Sequence, residues 1–215
     1  MSLEFDMADV ATRQRGLDAA ASAARRGDLV VLPTDTVYAV ATDAFNPRGA
    51  AGIRSAKGRG RDLPLQVLVG SPETIEGLGY GLTKAARDLV QGFWPGGLTL
   101  VVRQQPTLAW DLGDSSGTVA LRMPLHPVAI ELLRITGPLA VSGANVAGGD
   151  LPATVAEARE QLGDRVAVYL DGGPGLDPVP STVVDVSGPV PRLLRPGAVD
   201  LDTLRTVVPE ILPNA

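Results

Sequence analysis

Two hydrophobic periods alternate along this chain, one near 3.6 residues and one of 2. Between 10 and 26, apolar or small side chains fall at Val10, Leu17, Ala20, Ala21 and Ala24, on one helical face. The run closes on Arg25-Arg26-Gly27, a helix C-terminal signal. β-rich runs follow at 28 to 32 and 37 to 42, joined by a bend at Pro33-Thr34-Asp35-Thr36. Asn46 as N-cap and Pro47 at the first helical position predict a helix reaching Lys57. A buried strand is expected near 65 to 69, and 82 to 93 reads as an amphipathic helix, with Leu82, Ala85, Ala86, Leu89, Val90 and Phe93 on one face. Strands are predicted at 98 to 103 and 118 to 123, and a helix from Pro127 to about Ile135. After PLAVS and the turn GANVAGG come a helix over 154 to 161, the strand VAVYL and the loop DGGPGLDPVP. The strands STVVDV and PRLLR and a helix over 200 to 208 complete the pattern.

Interleaved strands and helices predict an α/β fold, and the closely paired short strands predict a sheet that is not purely parallel. With 215 residues and no internal linker, the chain reads as a single domain over 1 to 209, with a short peripheral tail over 210 to 215. The absence of cysteine excludes disulfides and thiolate chemistry and suits the cytoplasm. The first residues carry acids and no apolar leader, so neither export nor membrane insertion is expected. A net charge of −5 argues against a surface devoted to nucleic-acid phosphates. Any anion site must be local, and RSAKGRGR at 54 to 61 gathers Arg54, Lys57, Arg59 and Arg61 without an acid.

Nucleophile, P-loop and zinc-protease motifs are all missing, and the one histidine, His126, precedes Pro127 at a helix start, where a capping or surface role is expected. Asp35 reads as a bend-stabilising residue. What remains is Arg, Lys, Ser, Thr and Asn at strand ends and in Gly-rich turns, groups that hold phosphates and carboxylates rather than attack them. Nucleotidyl transfer needs mainly positioning and charge neutralisation, so such an inventory is sufficient for it.

Taken in order, PTDTVYAVATDAF, AKGRGRDLPL, FWPGGLTLVV, TVALRMPLHPVAIELL, VSGANVAGG, STVVD and LLRPGAV resemble the YrdC/TsaC family of threonylcarbamoyl-AMP synthases over nearly the whole chain. The resemblance implies a twisted mixed sheet flanked by helices around a positively lined concave cavity. It also implies a reaction in which L-threonine, bicarbonate and ATP give threonylcarbamoyl-AMP and pyrophosphate for tRNA modification. By position, Lys57 and Arg59 would be catalytic; Arg59, Thr118, Asn145 and Arg195 would bind ATP; Thr36, Lys57, Arg122, Gly143 and Ser181 would bind threonine. Mg²⁺ is expected to accompany ATP without a dedicated acidic cluster. The implied partners are a downstream tRNA threonylcarbamoyl transferase and a weak contact with tRNA. The family's longer members carry an extra C-terminal domain, and this chain resembles the compact form.

The sequence departs from the family pattern at Ala39, where relatives have Gly, at Gly143 and Ala147, where they have Ser, and at Leu68, where many have His. A paralogue of altered acyl specificity or low activity, or a nucleotide- or RNA-binding module without catalysis, are the alternative readings.

Overall fold

The computed structural model describes residues 1–175 and 179–214; the part of the predicted loop at 176–178 lies outside them. One ten-stranded sheet forms the frame, in the order β1-β8-β2-β3-β7-β4-β6-β5-β9-β10. Its strands are β1 (Leu3–Asp6), β2 (Val30–Leu32), β3 (Ala39–Asp43), β4 (Gln66–Leu68), β5 (Leu98–Arg103), β6 (Thr118–Arg122), β7 (Leu139–Gly143), β8 (Val168–Asp171), β9 (Thr182–Asp185) and β10 (Arg192–Arg195). The helices are α1 (Val10–Arg26), α2 (Pro47–Lys57), α3 (Thr74–Leu78), α4 (Lys84–Phe93), α5 (Pro127–Thr136), α6 (Val155–Leu162) and α7 (Leu201–Arg205). Parallel and antiparallel pairs mix, as the closely spaced strands predict: β2 runs antiparallel to β3 and parallel to β8.

Local signals set the helix ends. Asp9 and Asn46 each accept a backbone N–H as N-caps of α1 and α2. Gly27 and Gly58 close these helices at φ 82° and 67°, a conformation that a Cβ disfavours. The second of these turns lets the chain leave α2 immediately after Lys57.

Side-chain alternation divides the core into two layers. Val31, Val40, Val67, Leu98, Leu100, Leu121 and Val184 face α2, α4, α6 and α7. Val30, Leu32, Ala41, Leu139 and Val168 face α1 and α5. That second cluster takes nothing from β5, β6, β9 or β10 and stops at Leu68 of β4. Half of one sheet face is therefore left without a helical cover, and Gln66, Thr99, Arg122 and Ser181 lie on it beside Val101, Ala120 and Val183.

Three expectations need correction. The segment 3–6, with no predicted element, is an edge strand parallel to β8. A short helix, α3, stands where no element is expected. The tail after 209 is not peripheral: Ile211 is fully buried, and Leu212 exchanges backbone hydrogen bonds with Pro191 and Leu193 at the β10 edge. An apolar side chain with room in the core and an open strand edge hold this segment in place. Among the described residues no helix is long and apolar enough to cross a membrane.

Candidate active site

Where helical cover ends, the sheet and the turns after β2, α2 and β7 enclose a cavity of about 410 Å³. Thr36, Lys57, Arg59, Arg122, Gly143, Asn145, Ser181 and Arg195 all line it, although they are scattered over 160 positions of sequence. No described lining residue is an aspartate or glutamate.

Lys57 is the last residue of α2 and only 4% exposed. Its ammonium donates to Gly143 O at 2.6 Å, to Asn145 O and to Asn145 Oδ1 at 3.1 Å, using all three N–H bonds. Burial first, and then the Arg59 charge, bring its pKa down to about 8, while the three oxygen acceptors favour the ammonium form. Gly143 can accept from Lys57 because of its place in the ladder. Ala144 N–H bonds to Tyr38 O, which makes Ala39 and Gly143 a non-hydrogen-bonded antiparallel pair. The Gly143 N–H and C=O therefore both point away from β3, on the side where the β4 ladder has ended at Gln66 and Val141. This leaves a backbone donor beside a lysine.

Arg59 donates to Ser142 Oγ at 3.0 Å, and its buried Nε has no partner among the described residues. Arg195 donates to Ser181 O at 2.7 Å and Ser181 Oγ at 3.1 Å, and Ser181 Oγ is also 2.8 Å from Thr99 Oγ1. Burial and the Arg59 charge lower the Arg195 pKa, so Arg59 and Arg195 repel each other across the cavity. Such an arrangement favours an incoming anion. Arg122 is held by Gly96 O at 2.9 Å, Thr36 Oγ1 at 2.7 Å and Asp35 Oδ1 at 2.6 Å.

Other sequence expectations are redistributed. The basic run is not one anion site: Arg54 and Arg61 turn toward Asp111, and Arg61 also reaches Asp114, which leaves Lys57 and Arg59 for the cavity. Thr118 lies on the same sheet face as Arg122 but about 13 Å along the strand, outside the cavity lining, with its hydroxyl donated to Ser115 O. His126 occupies the N-cap position of α5 without a side-chain cap bond, half-buried, and its Nδ1 has no partner among the described residues. Asp35 does not stabilise its own bend; it accepts from Arg122 and from Leu125 N–H at 2.8 Å.

The departures have structural readings. Ala39 is regular strand, so its methyl meets no left-handed backbone and lines the cavity. A Cβ at Gly143 would lie 2.9 Å from Asn145 Oδ1, inside ordinary contact distance. Ala147 contributes its N–H, bonded to Lys57 O at 2.8 Å, and Leu68 places an apolar wall beside Ala39 and Val141.

A convergent set of cations, with Lys57 and Arg122 buried and Arg59 and Arg195 more open, joined by hydroxyl, amide and backbone groups and with no Cys or His among the described lining residues, defines a protein that binds and aligns anionic substrates. The chain belongs to the Sua5/YciO/YrdC family, whose model, described as "Telomere recombination", matches residues 22–197. A relative from Mycobacterium tuberculosis is 56% identical over 208 residues, 97% of this chain and 96% of the relative. The threonylcarbamoyl-AMP synthase of Bacillus subtilis is 35% identical over 202 residues, 93% of this chain and 58% of that protein. Among solved structures, Pyrococcus abyssi Sua5 complexed with L-threonine superposes with a TM-score of 0.91 at 32% identity, covering 100% of this chain and 62% of that one. The chain thus spans about three fifths of these last two proteins and nearly all of the mycobacterial one.

Proposed function

We propose that this chain is a threonylcarbamoyl-AMP synthase, making threonylcarbamoyl-AMP and pyrophosphate from L-threonine, bicarbonate and ATP. The observation that carries this reading is the cavity itself, in which Lys57, Arg59, Arg122 and Arg195 converge without a carboxylate among the described lining residues. The names of the relatives and the threonine held by the Pyrococcus neighbour support it.

The chemistry follows from the groups present. The threonine amine condenses with bicarbonate, losing water, to give an N-carboxylate. One oxygen of that carboxylate attacks the α-phosphorus of ATP as the bond to the pyrophosphate oxygen breaks. The nucleophile belongs to the substrate, so the protein supplies alignment and charge. Lys57 and Arg59 stabilise the charge gathering on the phosphate oxygens, with Arg195 beside them. Arg122 holds the threonine carboxylate, with Thr36 and Ser181 as hydroxyl partners. Asn145 and the Gly143 N–H offer neutral donors, and Thr118 serves a substrate only where it extends beyond the cavity along β6.

ATP enters as its Mg²⁺ complex in this reading. Among the described residues no group of three or more His, Asp or Glu stands ready for a metal. Phosphate and water oxygens would then hold the ion, and this chain's part is to neutralise the remaining charge. A cytoplasmic setting, transfer of the product by a separate tRNA-modifying enzyme and a weak tRNA contact belong to the same proposal. The test is pyrophosphate release by the purified chain: it should require L-threonine and bicarbonate together. Release that ignores either substrate refutes the assignment.

A further inference from the structure

Among the described residues four cations line the cavity, and one of them has a carboxylate counter-ion there. Lys57, Arg59 and Arg195 are held by carbonyl, amide and hydroxyl oxygens, all neutral. Among the described residues Arg122 is the one paired with an acid, Asp35 at 2.6 Å, and the pair is nearly dry, with 6% and 17% of the two side chains exposed. The pair is also fixed in place: Asp35 Oδ1 accepts from Leu125 N–H as well, and the other two guanidinium nitrogens of Arg122 are anchored on Gly96 O and Thr36 Oγ1. Of five guanidinium N–H bonds three are engaged, leaving one on each terminal nitrogen, enough for a single carboxylate.

At short range in a partly dry site, one uncompensated charge strongly favours a multiply charged anion over a zwitterion. Arg122 without Asp35 would compete with Lys57, Arg59 and Arg195 for phosphate. We propose that Asp35 is a specificity-determining residue: by neutralising Arg122 it reserves that end of the cavity for the amino-acid carboxylate and confines phosphate groups to Lys57, Arg59 and Arg195. The proposal rests on the functional reading above, in which Arg122 takes the threonine carboxylate.

Asp35→Asn separates charge from geometry. The oxygen that accepts from both Arg122 and Leu125 can remain, while the negative charge is lost. Calorimetric titration with inorganic phosphate should show one more phosphate bound per chain in Asp35→Asn than in the unaltered protein, and the additional site should vanish in Asp35→Asn/Arg122→Gln. Phosphate should also weaken threonine binding about tenfold in Asp35→Asn at concentrations that leave the unaltered protein unaffected. Identical phosphate isotherms for the unaltered protein and Asp35→Asn overturn the proposal, as does an additional site that survives loss of Arg122. A measurement on the unaltered protein tests it without any variant: inorganic phosphate should compete with ATP and not with threonine, and competition with threonine overturns it. The phosphate titration uses neither substrate, so its failure is distinct from a failure of threonine- and bicarbonate-dependent pyrophosphate release.

Discussion

Replacing Lys57 by Met removes the ammonium but keeps most of the side chain's volume, and two opposing effects on stability follow. Moving a lysine from 10.5 to about 8 costs roughly 3 kcal/mol at neutral pH, and the substitution relieves that cost. Against it, Gly143 O, Asn145 O and Asn145 Oδ1 lose their shared donor, at about 1 kcal/mol or somewhat more each. The net change in stability at pH 7 should stay within about 2 kcal/mol, whereas turnover should fall by about a hundredfold or more. The pH dependence is sharper. Because the folded pKa lies below the unfolded one, the unfolded chain holds more protons between about pH 8 and 10.5, and raising pH through that window favours the folded state. The penalty is present in full below about pH 8 and gone by 10.5. Urea unfolding at pH 8 and at about pH 9.5 should show the unaltered protein gaining about 2 kcal/mol relative to Lys57→Met. Parallel stability curves for the two proteins would refute a lysine dehydrated in this way.

Two further outcomes are expected. Gly143→Ser restores the residue of the family pattern, but its Cβ would stand 2.9 Å from Asn145 Oδ1; the displaced amide should loosen Lys57 and lower turnover several-fold rather than raise it, measurable as pyrophosphate release under saturating substrates. Gly197→Ala would place a Cβ 2.6 Å from Ser181 C and 2.7 Å from Thr182 N; since backbone cannot swing aside, denaturant melts should show a loss of about 1–3 kcal/mol, with a raised KM for ATP as Ser181 and Arg195 separate.

The sequence carried the local features well. Lys57 at a helix end, the Asn46 cap and the strand Leu98–Arg103 all follow from signals a few residues long. The convergence of Lys57, Arg59, Arg122, Asn145, Ser181 and Arg195 was legible only through the family resemblance, because no short motif joins them. What escaped were partners distant along the chain. Asp35 and Arg122 are 87 positions apart, and Arg54 and Asp111 are 57 apart, so nothing near either cation announces its acid. β1 escaped for another reason: four residues, with Leu3 half-exposed at a sheet edge, give too short an alternation to read. Ile211 and Leu212 lie in a Pro-flanked stretch that resembles a tail until Leu212 bridges to Arg192 of β10.

The order in which the cavity walls occur along the chain bears on biosynthesis. Thr36 and Lys57 emerge early from the ribosome, yet Ser181 comes just before β9 and Arg195 at the end of β10, and β9 docks in parallel beside β5. A nascent polypeptide therefore has no complete nucleotide pocket until β9 and β10 have left the ribosome, and ligand can reward folding only after that point.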